Sequence, residues 1–365
     1  MKKIFFHIGP PKTGTTTIQH SLFINRDRLL KHGIYLPETG LLKNTNGLAK
    51  QENLALELSG RKEYRKKYGT WNDLLAEINR TSASTIIISS EDFSLFTEDA
   101  IQRVKEFLKD FDTYILFYAR RQDHMFQSQW AQGIKSRYRK NAYASFSDWM
   151  ANSDKTGLVN DYYALFQRWS RVFGADHMIV RVFEKGQIAD SLFEDFLNAC
   201  GVDACNDCKT ESVMNISPDP KTLTLLCEYK RLLRGELAEV TYHQIIATLI
   251  EYGKMSGWGK AKFTVISKEA YAQIMEQFSE SNRKLAQDYF HRDELFFEKY
   301  DESLNFISIN NFSPLELIEV NTYLINKLQQ NESLPLRLAR RLENHPLYRS
   351  IMRRKERLTQ RSKKG

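Results

Sequence analysis

Residues 3–8 read KIFFHI, a run apolar on both faces of a strand, and it passes without a spacer into GPPKTGTT at 9–16. Three more runs of the same kind follow, TIIIS (85–89), TYILFY (113–118) and MIVRVF (178–183). Strands without a polar face belong in a parallel sheet covered by helices on both sides, because a sheet with one wet face would alternate. Between the runs lie helical patterns long enough for right-handed crossovers, TTTIQHSLFINRDRLLKHG, DAIQRVKEFLKD and DYYALFQRWSRVFG. The predicted class is therefore α/β, a parallel sheet with flanking helices. Ligands of such sheets bind beyond the carboxyl ends of the strands, which is where the loop at 9–16 falls.

From about residue 187 helical spacing takes over, in LFEDFLNAC, LTLLCEYKRLL and YAQIMEQFSESNRKLAQDYF. With no Pro/Gly/Ser-rich linker before it, this part is expected to pack on the sheet. The expected organisation is one domain over 1–333, strand-rich to 186 and helical over 187–333, followed by a basic amphipathic tail at 334–365. The stretch KQENLALEL (50–58) reads as irregular.

The formal net charge of +8 belongs to that tail: from Arg337 to Lys364 there are eleven Arg and Lys against Glu343 and Glu356. The remainder is close to neutral, which argues against a nucleic-acid partner. No run approaches the roughly 18 apolar residues of a membrane span. The start MKKIFFHIGPP is broken by His7, Gly9 and two prolines, so it reads as a strand and loop, not as a secretory signal. A cytoplasmic location is the default, and the Asn-x-Ser/Thr matches at Asn79, Asn215, Asn311 and Asn331 carry no weight there. The tail can lie on an anionic membrane surface, each Lys or Arg near the lipid contributing about 1 kcal/mol; disorder or a partner contact fits its composition equally. Cys200, Cys205, Cys208 and Cys227 contain one C-x-x-C pair, where thiolate zinc sites need two. The expectation is free thiols and no metal.

In the first loop Gly9 and Gly14 keep the spacing of the nucleotide-triphosphate loop G-x-x-x-x-G-K-[ST], but Thr15 stands where its lysine belongs and Lys12 has moved inside. A glycine-bearing turn opening a helix near Thr15 points main-chain N–H groups and the helix's positive end at one place, which suits an anion. Thr13, Thr15, Thr16 and Thr17 add hydroxyls. The third strand runs into YARRQDHMFQSQW, with Arg120 and Ser128 eight residues apart at a strand-to-helix junction. The second strand ends TIIISSEDF, which places Glu91 on the ligand side of the sheet; Ser90 or Glu91 as a helix N-cap is the structural alternative.

PKTGTT, with Lys12 inside the loop, resembles the 5′-phosphosulfate loop of sulfotransferases that use 3′-phosphoadenosine-5′-phosphosulfate. The resemblance covers roughly residues 3–200 and is nearest to the bacterial or carbohydrate branch. It implies a P-loop NTPase-like sulfotransferase fold and a donor site made of Pro11, Lys12, Thr13, Gly14, Thr15, Thr16 and Thr17. It also implies that Lys12 neutralises charge on the oxygen between phosphate and sulfate. An Arg-x-Pro…Ser segment of that family has the Arg120–Ser128 spacing and holds the donor's 3′-phosphate; Gln122 stands here in place of the proline, and Arg121 is the alternative to Arg120. Where small-molecule sulfotransferases end a strand in a histidine base, this chain has Glu91. Asp92, His7 and Glu52 are the other candidates for the base. Thr17 replaces the aromatic on which many members stack adenine, so adenine contacts are unassigned.

The implied acceptor is a hydroxyl, of a saccharide or a lipid-linked glycan, and the tail is a candidate peripheral contact with the inner membrane surface. Lys135, Arg137, Arg139 and Lys140, with Tyr138 and Tyr143, form a basic patch that is either a saccharide contact or a solvated helix end. Two rivals stand beside this reading. One is a nucleotide kinase or NTPase, which requires a lysine after Gly14 and a metal-holding carboxylate; the other is a non-catalytic protein of membrane surfaces or polyanions.

Overall fold

The computed structural model describes residues 1–43, 49–135, 145–152, 160–202, 208–209, 217–232 and 239–330. In chain order its elements are β1 (Lys3–His7), α1 (Thr15–Ile24), α2 (Arg26–Lys31), β2 (Ile34–Tyr35), β3 (Leu42–Lys43), β4 (Ala49–Lys50), α3 (Glu52–Leu58), α4 (Trp71–Arg80), β5 (Thr85–Ser89), α5 (Glu98–Phe107), β6 (Asp112–Ala119), α6 (Gln122–Lys135), α7 (Phe146–Asn152), α8 (Tyr162–Phe173), β7 (Met178–Val182), α9 (Leu192–Ala199), α10 (Pro220–Leu232), α11 (Glu239–Met255), β8 (Phe263–Thr264), α12 (Lys268–Phe290), β9 (Asn305–Phe306) and α13 (Pro314–Gln330). The chain divides into two units, 1–126, 154–216 and 271–300 forming the first, and 127–153, 217–270 and 301–365 the second.

The first unit holds a five-stranded sheet of order β2-β5-β1-β6-β7. Every pairing in it is parallel. Alternation along β1 sends Ile4 and Phe6 to one face and Phe5 and His7 to the other, and all four are buried. On the first face Phe6 stacks on Phe93 at 4.4 Å and meets Trp71 and Trp169. Burying one such aromatic contributes about 1.5–3 kcal/mol. On the other face Phe5, Ile18, Leu22, Leu116, Phe193 and Phe196 belong to one continuous core. Two covered faces make this an α/β fold of the class the strand composition predicts. In register, His7 lies opposite Ser89 on one side and Leu116 on the other, so the segments that follow β1, β5 and β6 emerge side by side.

Two local expectations give way to the structure. The helical pattern from Thr15 onward breaks at Asn25, which separates α1 from α2. The fully buried Asn25 amide donates to the Ser21 and Lys209 carbonyls at 2.9 Å each, and its oxygen accepts the Lys209 N–H at 2.8 Å. KQENLALEL is not irregular: residues 52–58 form α3, with Leu54, Ala55, Leu56 and Leu58 buried.

The second unit is mainly helical. Buried Lys221 lies over the rings of Trp258 and Phe312 at 5.0 Å each and pairs with Glu316. The Lys230 ammonium donates to the Gly133 carbonyl at 2.6 Å, and Tyr242 donates to Ile134 at 2.7 Å, closing the carboxyl end of α6. Cys200 and Cys227 are free and buried, whereas Cys208 is disulfide-bonded, so the expectation of free thiols fails at Cys208. Among the described residues no helix is long and apolar enough to cross a membrane, and no group of three His, Cys, Asp or Glu is placed to hold a metal ion. The tail at 334–365, Cys205, and Arg137, Tyr138, Arg139, Lys140 and Tyr143 lie outside the described residues.

Candidate functional site

The loop between β1 and α1 bends three times through left-handed backbone, at Gly9 (φ 84°), Lys12 (φ 70°) and Gly14 (φ 84°). Gly9 packs so closely on the segment after β5 that an added Cβ would sit 2.8 Å from Glu91 Cα. Gly14 is the N-cap of α1; no described side chain caps that helix, and its first turn carries no acid. The first-turn N–H groups thus give this end positive character with no acid of the helix itself to answer it, the carboxylate beside it being that of Glu91. Thr13 is fully buried and donates its hydroxyl to the Pro10 carbonyl at 2.6 Å. Thr15 donates to Glu91 Oε2 at 3.2 Å. Those two hydroxyl protons therefore hold the loop together, and half-buried Thr16 and Thr17 carry the hydroxyls that begin the helix beside them.

Glu91 opens a short 3-10 turn capped by Ser90, whose oxygen accepts the Asp92 N–H, so the capping role belongs to Ser90. The other Glu91 oxygen lies 3.2 Å from the Lys50 ammonium, which also reaches Asp92 at 3.0 Å and Glu52 at 3.3 Å. Burial pulls the Lys50 pKa down, but Glu91, Asp92 and Glu52 together outweigh it and raise the value above the ordinary lysine range. Lys50 carries no sequence motif, and it sits 41 residues from Glu91; only the fold brings it there.

His7 is placed differently. It is fully buried, its Nδ1 lies 2.8 Å from Ser89 Oγ, and Ser89 Oγ also accepts from Gln19 Nε2 at 3.2 Å. The Ser89 oxygen thus bridges the His7 ring and the Gln19 amide, while His7 Nε2 has no hydrogen-bond partner among the described residues. Burial lowers the His7 pKa to about 3. A histidine held neutral in the fold and free to protonate when unfolded gives stability that is complete above pH 6.5 and declines below it. The expected slope is about 1.4 kcal/mol per pH unit from pH 6.5 down toward 3. Urea midpoints at pH 7 and pH 5 check this, with His7→Phe expected to flatten the slope; equal slopes in the two proteins rule it out.

At the end of β6, the Arg120 guanidinium donates to the Lys12 carbonyl at 2.8 Å. Its main chain is clamped by the Tyr162 hydroxyl, which accepts the Arg120 N–H at 3.1 Å and donates to the Arg120 carbonyl at 2.6 Å. The guanidinium lies 5.4 Å from the Phe183 ring centre, and burial pulls its pKa down. Arg121 also borders the cleft that Arg120 lines, but it has its own partners. It makes a fork to Asp123 at 2.8 and 3.0 Å, donates to the Glu298 and Lys299 carbonyls, and stacks over Tyr271. Its NH2 also lies 2.7 Å from His124 Nε2, and since a guanidinium only donates, that nitrogen accepts and His124 is neutral with its proton on Nδ1. Gln122 pairs with Asn282 through both amide groups, at 2.8 and 3.1 Å.

Arg120, Arg121, His124, Phe183, Glu184 and Lys185 border a cleft of about 390 Å³ within the first unit. That volume falls in the range of sites for molecules of nucleotide size. The structure thus brings Lys12, Thr15 and Glu91 together at one end of the sheet and joins Arg120 to the same loop. Ser128 lies in α6, and its residue number places it in the second unit.

No protein-family model matches the chain. An uncharacterized protein of Archaeoglobus fulgidus is 25% identical over 236 residues, a match covering 64% of this chain and 61% of that protein. The crystal structure of a sulfotransferase from Alicyclobacillus acidocaldarius aligns with 65% of this chain and 98% of its own, at a TM-score of 0.36 and 16% identity.

Proposed function

We propose that the chain is a sulfotransferase that takes a sulfuryl group from 3′-phosphoadenosine-5′-phosphosulfate and places it on an acceptor hydroxyl of a saccharide or glycan. The observation that supports this most is the 2.8 Å bond from Arg120 to the Lys12 carbonyl. The resemblance gives the 5′-phosphosulfate to the loop of Lys12 and the 3′-phosphate to Arg120, and one adenosine carrying both needs those segments adjacent. The uncapped start of α1 suits the 5′ end chemically, and the cleft beside Phe183 and Arg120 suits the nucleoside.

The donor supplies a sulfuryl group activated by its bond to phosphate. The main-chain N–H groups of Thr15, Thr16 and Thr17 hold the phosphate end of the loop's ligand. Lys12 stands beside the oxygen that gains charge as the sulfur–oxygen bond breaks, and a positioned cation there lowers the barrier. Glu91 takes the proton of the attacking hydroxyl, held toward it by Thr15 on one oxygen and Lys50 on the other. Arg120 grips the 3′-phosphate with its planar fork, a task the resemblance also gives to Ser128. The chemistry asks for no metal bridge, because the transferred group carries less charge than a γ-phosphate.

Thermal melting with adenosine 3′,5′-bisphosphate and with Mg·ATP tests the reading. At a hundredfold excess over Kd the bisphosphate is expected to stabilise the fold by about 2.7 kcal/mol, and Arg120→Ala is expected to lose most of that gain. Stabilisation by Mg·ATP alone replaces the proposal with a kinase or NTPase. Transfer of radiolabelled sulfate from the donor into a cell extract then identifies the acceptor.

A further inference from the structure

We propose that the exposed segment Arg61–Tyr68 is the docking strip for the acceptor, and that the acceptor is an acidic polysaccharide. The proposal rests on the sulfotransferase reading and names the substrate class of that same site.

The segment reads RKEYRKKY, with Arg61, Lys62, Arg65, Lys66 and Lys67 against the single Glu63. All of these charged residues are exposed. The tail accounts for the chain's net charge, so this strip is a local concentration of cations in a remainder that carries no net positive charge. A solvated charge run needs no fixed main chain, but this one has it. Asn53, fully buried in α3, accepts the Arg65 N–H at 3.0 Å and donates to the carbonyls of Arg65 at 3.1 Å and Gly69 at 2.9 Å. The Gly40 N–H donates to the Tyr68 carbonyl at 2.7 Å. Arg65 turns back onto the carbonyls of Lys62 and Tyr64 at 2.6 and 2.8 Å, bracing the loop from outside. A strip fixed in this way gives up little freedom when a ligand lies on it.

Its position links it to the proposed chemistry. Arg61 lies 3.8 Å from Asp92, and Asp92 shares the Lys50 ammonium with Glu91. A chain of three ion pairs, Arg61 to Asp92, Asp92 to Lys50 and Lys50 to Glu91, therefore joins the start of the strip to the carboxylate assigned to the acceptor's proton. At its other end Tyr68 is 41% exposed, with the Lys67 ammonium 5.0 Å from its ring centre, a flat face next to a cation. A ring for sugar stacking beside spaced cations fits a chain of saccharides that carries repeated anions. A neutral glycan offers these cations no anion of its own.

The test compares the wild type with the combined variant Lys62→Glu, Lys66→Glu and Lys67→Glu, using heparosan as the acidic probe and dextran and polyuridylate as controls. Binding of a fluorescent heparosan oligosaccharide needs no donor, so it reports on the strip separately from the sulfotransferase reading, which adenosine bisphosphate binding decides. The expected results are heparosan binding at least about tenfold tighter than dextran or polyuridylate, weakening as salt rises through the physiological range. In the variant heparosan affinity falls about tenfold or more while adenosine bisphosphate affinity stays within about twofold. Where sulfate transfer is measurable, the change appears in KM for heparosan rather than in kcat. Wild-type heparosan affinity in the variant overturns the proposal, and so does dextran or polyuridylate binding as tightly as heparosan.

Discussion

Lys12→Gly is expected to fold at least as well as the parent and to transfer sulfate about 10²- to 10³-fold more slowly. The two effects have different origins. Lys12 occupies φ 70°, left-handed backbone that costs a residue with a Cβ roughly 1–2 kcal/mol and glycine almost nothing. Its carbonyl, held by Arg120, is a main-chain group and survives the substitution. What leaves is the ammonium, and loss of one preorganised charge at a breaking bond carries a rate penalty of that size. Lys12→Ala is expected to lose the same activity while keeping the backbone strain. Single-turnover transfer and urea midpoints measure both quantities, and a Lys12→Gly enzyme with parental kcat removes Lys12 from the chemistry.

Glu91→Gln is the second large effect, with kcat expected to fall about 10²- to 10⁴-fold and stability to change by less than about 1 kcal/mol. The substituted amide keeps a carbonyl oxygen for Thr15 or Lys50. The substitution also removes one of three carboxylates crowded around a single ammonium, which offsets the lost ion pair. Lys50→Met is the counterpart: it leaves Glu52, Glu91 and Asp92 facing one another, with Arg61 beside Asp92 as the remaining cation of the described ion pairs there. That variant is expected to be less stable than Glu91→Gln, as urea midpoints measure. A Glu91→Gln enzyme with near-normal kcat moves the base elsewhere.

The sheet was legible because its strands are apolar on both faces, and TIIIS coincides with β5 to the residue. The loop was legible because a glycine pair between a strand and a helix has few structural meanings. The missed features depend on partners far away in the chain. Asn25 breaks a helix for the sake of Lys209, 184 residues on. Lys50 and Tyr162 become site residues only when the register sets the ends of β1, β5 and β6 side by side. β2 is two residues long, too short for any periodicity. Thr13 resembles a ligand hydroxyl in sequence, yet its proton is held by the Pro10 carbonyl, a choice that local geometry makes and composition does not encode.

The two units are interleaved along the polypeptide, each built from three separate segments. No single cut isolates either one. A fragment stopped at residue 186 lacks Phe193, Phe196 and Leu197, which belong to the core on one face of the sheet, and lacks Asn282, the partner of Gln122. Recombining or shortening such a molecule therefore has to be planned by spatial neighbourhood, and its synthesis must run past residue 300 before the sheet has all of its own covering.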